Sequence, residues 1–154
     1  MSSPLRNRPL RLHRAAPVMA LLTGFALSLS PALAQGICGI SIRALQESLV
    51  LFGESYQIAP DIDCETEATL PAHRLMCDSL YEDEQELWLM GNLDDAAWVY
   101  ALENATGIET DHSNPSRDES FIAARDACTT EACLCEALIG HTNASLGGES
   151  PYLR

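Results

Sequence analysis

Phe121-Ile-Ala-Ala-Arg-Asp-Ala-Cys-Thr-Thr-Glu-Ala-Cys-Leu134 reads as the end of one helix, a tight turn and the start of another. Phe121, Ile122 and Ala124 supply an apolar face, and Arg125 falls in a last turn, where a cation suits the helix dipole. Thr129 or Thr130 can cap the following helix, with Glu131 as a favourable anion in its first turn. Cys128 and Cys133 lie five apart. On one unbroken helix their Cα atoms would be roughly 8 Å apart, beyond the span of a disulfide. A break at Thr129-Thr130 brings them within reach, and the bridge then fixes the angle between the helices.

Working outward, the other segments also carry helical spacing. Ile42, Leu45, Leu49 and Phe52 recur at that period, with Gly53 as a stop. Tyr56 to Asp63 is a proline-containing connector. Between Cys64 and Cys77 a straight helix would hold the thiols roughly 20 Å apart. Thr69 and Pro71 mark a later helix start, so Glu65 to Leu70 can run back along the helix and Cys64 can meet Cys77. Leu80 to Ala105 has the longest helical pattern, and Gly91-Asn92 within it predicts a kink or two shorter helices. Gly107 to Arg117 is a polar loop, Asp118 to Ala127 and Glu131 to Ala144 are the last helices, and Gly147-Gly148 with Pro151 leaves a loose tail over 147–154. No strand-like alternation of useful length occurs. The expected fold is all-α: a small disulfide-stapled antiparallel helical hairpin or bundle.

The amino-terminal residues set the expected compartment. Arg6, Arg8, Arg11 and Arg14 precede an apolar run, Val18 to Leu29, and Pro31-Ala-Leu-Ala34 ends in an A-x-A cleavage pattern. The run is too short to span a bilayer, so residues 1–34 read as a cleaved signal peptide and the mature protein as periplasmic or secreted. Gln35-Gly36-Ile37 before Cys38 lacks the small-residue pattern of a lipid-attachment site. Removing 34 of the 154 residues leaves 120, the size of one domain. All 22 acidic residues lie after Ala34 against five arginines and no lysine, which leaves a formal charge of −17. Such a field repels nucleic acid and anionic lipid and attracts basic partners.

All six cysteines fall in the exported part, an even number in an oxidising compartment, with fifteen pairings formally open. Cys38 and Cys135 pair by elimination once Cys64–Cys77 and Cys128–Cys133 are drawn. A zinc reading of Cys128, Cys133, Cys135 and His141 is weakened because Cys133 and Cys135 would point to nearly opposite sides of a helix. His73, His112 and His141 lie beside no nucleophile signature and read as lone surface histidines. Neither catalysis nor a cofactor is implied. The acidic run Glu82, Asp83, Glu84 and Glu86 lacks the glycine turn and ligand spacing of a calcium loop and reads as a solvated face.

Asp63-Cys64, Cys77, Leu93-Asp94, Tyr100, Arg125-Asp-Ala-Cys128 and Cys133-Leu134 together resemble the LprI-like lysozyme-inhibitor family, over roughly 62–146. Residues 35–61 then form an N-terminal helix and connector outside the pattern. Cys77 and Asp94 stand farther apart than in that family, which implies an insertion containing much of Tyr81 to Gly91. Leu138 and His141 occupy positions where the family has Tyr and Arg. The resemblance implies a small exported helical domain with two local disulfides that binds lysozyme without chemistry of its own. Glu82, Asp83, Glu84 and Glu86 are the expected partner-binding surface for a basic lysozyme. The alternative is an envelope interaction module that does not inhibit lysozyme.

Overall fold

The computed structural model describes residues 36–53, 57–66, 68–83 and 85–152. These belong to the unit Ala32–Arg154; the proposed leader and the end of the tail, Leu153 and Arg154, lie outside the described residues. Among the described residues five helices follow in order: α1 (Ile42–Gly53), α2 (Pro71–Leu80), α3 (Glu86–Thr106), α4 (Glu119–Asp126) and α5 (Glu131–Ser145). No strand occurs among the described residues. The fold is a small all-α bundle stapled by disulfides.

Helix α3 is its axis, packed against α1, α2 and α5. Its apolar residues are correspondingly spread round the helix, since a helix covered on several sides needs no single stripe. Leu87, Met90, Leu93, Ala96, Ala97 and Val99 are all buried. Leu45 from α1, Met76 from α2, and Leu134 and Leu138 from α5 close the core around it.

The helix boundaries follow local chemistry. Pro71 opens α2 at a position where its missing N–H costs nothing. Asp118 caps α4 by accepting the Ser120 and Phe121 N–H groups, and of the two candidate threonines Thr130 caps α5, accepting from Cys133 N. Ser41 Oγ accepts the Ala44 N–H at 3.2 Å at the start of α1. Gly107, at φ +68°, ends α3 in the left-handed conformation that glycine adopts without penalty.

Two expectations are corrected. Gly91-Asn92 does not break α3, which runs through it; the break falls earlier, between Leu80 and Glu86. Gly91 instead permits close packing of α2 on α3, because a Cβ there would stand 2.5 Å from Met76 Cε. The tail is not loose either. Tyr152 is 1% exposed, its hydroxyl donates to Thr142 Oγ1 at 3.0 Å, and Ser48 Oγ donates to the Pro151 carbonyl at 3.0 Å. A buried aromatic ring outweighs the flexibility that glycines lend a chain end.

Cys64 is joined to Cys77, Cys128 to Cys133, and Cys38 to Cys135. The first pair folds the connector back onto α2, the second sets the α4–α5 corner, and the third ties the segment before α1 to α5.

Candidate functional site

The acidic run divides in two. Glu82 and Asp83 are exposed in the α2–α3 turn, beside Tyr81, which is 79% exposed. Glu84 lies outside the described residues. Glu86 is not part of a solvated face: it is 3% exposed, and its carboxylate accepts the Ile37 N–H at 2.6 Å and the Cys38 N–H at 2.9 Å. Its place at the first turn of α3 adds the favourable helix dipole. Gly36 lies directly against it, and a Cβ there would come within 1.9 Å of Glu86 Oε2. Glu86 therefore organises the turn that carries Cys38 to its disulfide.

Beneath the surface lies a charged network centred on α3 and α4. Asp94, almost fully buried, accepts from His141 Nδ1 at 2.9 Å and from the Thr142 hydroxyl at 2.8 Å. Burial raises the Asp94 carboxyl above its ordinary value in spite of those bonds. Burial works against the His141 imidazolium, but the hydrogen bond and charge of Asp94, with the Asp118 carboxylate, outweigh it and raise His141. The imidazole stacks on Phe121, with centroids 3.9 Å apart and planes 5° from parallel, and Trp98 lies 5.5 Å away. His141 Nε2 faces Asp118 Oδ2 at 3.6 Å, beyond hydrogen-bond length.

Arg125 is the second centre. It is 3% exposed and pairs with Asp61 from the connector at 2.8 Å and with Asp126 at 2.8 Å. His73 Nε2 meets Asp126 from α2 at 2.9 Å. Burial opposes the Asp126 charge, yet the Arg125 and His73 hydrogen bonds hold its carboxyl below the usual range. Arg117 bonds to both Asp95 and the Ala59 carbonyl, tying the connector to α3, and burial pushes the Asp95 carboxyl up to about 7 against the pull of Arg117.

The three histidines are thus not lone surface groups: His112 Nε2 also lies 3.2 Å from Glu103 Oε1. The acidic chain supplies each with a carboxylate from another element or turn. Spacing along the sequence carries no mark of such pairing. A partial mark does exist for the rest, since Leu93-Asp94 and Arg125-Asp126 belong to the motif residues, and the structure brings those charges into one network. An arginine directly after the apolar run Phe121–Ala124 is a second signal, for an arginine so buried requires carboxylate partners.

Two hollows border this network. One is lined by Asp61, Asp94, Asp95 and Arg125, with Trp88 and Asn92. The other is a groove of about 290 Å³ between α1, the connector and α3, lined by Leu49, Phe52, Ile58, Trp88, Gln57 and Asn92. No helix among the described residues is long and apolar enough to cross a membrane. Comparison with family models, with curated proteins and with solved structures gives no match.

Proposed function

We propose that this is an exported, non-enzymatic binding protein whose acidic surface holds a basic partner, and that the partner is a lysozyme whose cleft it occludes. The observation that carries this reading is where the positive charge goes. Of the five arginines after Ala34, Arg117 and Arg125 are turned into interior ion pairs and Arg43 is bridged to Glu47. Among the described residues thirteen carboxylates are exposed, against the exposed arginines Arg43 and Arg74. A surface of that sign steers basic proteins toward it and needs no catalytic group.

Glu82 and Asp83, with Tyr81 and Asp78, supply an exposed acidic turn carrying an aromatic ring, a combination suited to contact with a cationic rim. The resemblance to the lysozyme-inhibitor family directs the choice of lysozyme among basic proteins. The test is lysis of cell walls by lysozyme with the oxidised chain from Gln35 to Arg154 titrated in at two salt concentrations, against an unrelated protein of equal negative charge. Saturable inhibition that persists at physiological salt and exceeds the control supports the inhibitor. Inhibition equal to the control removes it and leaves the envelope interaction module.

A further inference from the structure

The three disulfides are not equally placed. Cys38 and Cys64 are half-buried and their partners Cys135 and Cys77 buried, so two of the bridges offer no exposed residue. The third is lopsided: Cys128 is buried, whereas Cys133 is exposed, alone among the six. Thr129, Thr130, Glu131 and Ala132 beside it are exposed as well, so the outer side of the α4–α5 corner is open. The Cys133 N–H already donates to Thr130 Oγ1 and helical backbone is largely covered, so that exposure belongs mainly to the side chain. The two sulfurs also differ electrically. Cys133 lies in the first turn of α5, at the positive end of the helix dipole, where a thiolate is favoured. The exposed carboxylates of Glu131 and Glu136 on the same helix oppose part of that gain. Cys128 follows the C-terminal end of α4, where a thiolate is disfavoured. Its sulfur lies 3.8 Å from the Ala124 carbonyl oxygen, an acceptor for an S–H.

We infer that Cys128–Cys133 is a thiol–disulfide exchange site, opened by an outside dithiol that attacks Cys133 while the other two bridges stay closed. This goes beyond the partner proposed above and does not depend on it. In the first step a thiolate of the dithiol bonds to Cys133 Sγ, and the Cys133–Cys128 bond breaks. The electron pair leaves on Cys128 Sγ, which takes the proton of the dithiol's second thiol and directs its S–H at the Ala124 carbonyl. That second sulfur, now a thiolate, closes the dithiol's own disulfide and releases Cys133 as a thiolate. The protein gains two electrons and the dithiol loses two. The corner outlasts the opening because Thr130 still caps α5, Arg125 still pairs with Asp61 and Asp126, and Phe121 still stacks on His141. With a sequence separation of 5, this bridge also returns the least chain entropy of the three when it opens.

The test holds the oxidised Gln35–Arg154 chain in dithiothreitol near neutral pH, with samples quenched at intervals by N-ethylmaleimide in denaturant. Mass spectrometry then maps the labelled cysteines. Cys128 and Cys133 should become labelled together, at least about tenfold faster than the other four. With β-mercaptoethanol, a monothiol, the trapped mixed disulfide should sit on Cys133. Single variants give a separate readout. In Cys128→Ser the free Cys133 should react with N-ethylmaleimide in the native protein, whereas in Cys133→Ser the free Cys128 should react only on unfolding. Opening of all three bridges together, earlier opening of either other bridge, or a mixed disulfide on Cys128 overturns the proposal. So does a native Cys128 thiol as reactive as that of Cys133. The wild-type time course stands by itself if either variant fails to fold.

Discussion

Glu82 and Glu86 stand four residues apart in one acidic run, yet one faces water and the other fastens the turn before α1. Glu86→Ala leaves the Ile37 and Cys38 N–H groups without their carboxylate and should cost about 1.5–3 kcal/mol, whereas Glu82→Ala should stay within about 0.5 kcal/mol. Urea unfolding of both variants measures the contrast. The pH dependence also belongs to single groups. Asp95, raised to about 7 from 3.8, binds its proton more tightly in the folded chain, so stability declines as pH rises across that interval. Asp94, raised by burial, acts in the same direction. The His141 contribution is fully present below its unfolded value of 6.5 and is lost as pH rises through its higher folded value. The thermal midpoint should therefore be higher at pH 5 than at pH 8. His141→Gln should flatten the part of that slope above pH 6.5 and leave the lower part in place.

Among the elements, the three disulfides differ chiefly in the loops they close, with sequence separations of 97, 13 and 5. Chain-entropy reasoning assigns losses of about 4–5 kcal/mol to removal of Cys38–Cys135, about 3 to Cys64–Cys77 and about 2 to Cys128–Cys133. Denaturation of three paired Cys→Ala variants should return that order. The terminal segment has an equally direct test. Tyr152→Ala removes a buried ring between α5 and the end of the chain and should cost about 3–5 kcal/mol. Tyr152→Phe removes only the bond to Thr142 and should cost about 1 kcal/mol. Equal, negligible losses in thermal melts would make the segment a passive tail.

At the scale of the whole molecule, the distribution of charge matters most: thirteen of the described carboxylates are exposed, whereas Arg117 and Arg125 are held in ion pairs with Asp95, Asp61 and Asp126. Association with a basic partner should slow steeply with added salt, because the net charge, −13 for the full chain, acts over distances that salt screens to about 8 Å at physiological ionic strength. Stopped-flow association rates at low and physiological salt would show this as a fall in kon with a much smaller change in koff. A kon independent of salt would mean that the surface charge has no part in recognition.

What the sequence determined by itself were the features written in short range. Apolar spacing of 3–4 residues made the chain helical, and Pro71, Asp118 and Thr130 set where helices begin. The Cys128–Cys133 corner and the Cys64–Cys77 fold-back were legible because loop length and the helical rise allow few solutions. The continuity of α3 through Gly91 was not, since packing against Met76 overrides the local weakness of a glycine. Nor were the burial of Glu86, the carboxylate partners of the three histidines, or the docking of Tyr152. In a chain with 22 acidic residues, local pattern cannot tell which carboxylate turns inward. That choice depends on charges and N–H groups 47–64 residues away along the chain, as between Glu86 and Ile37, Asp94 and His141, or Asp61 and Arg125, and only the tertiary structure brings them together.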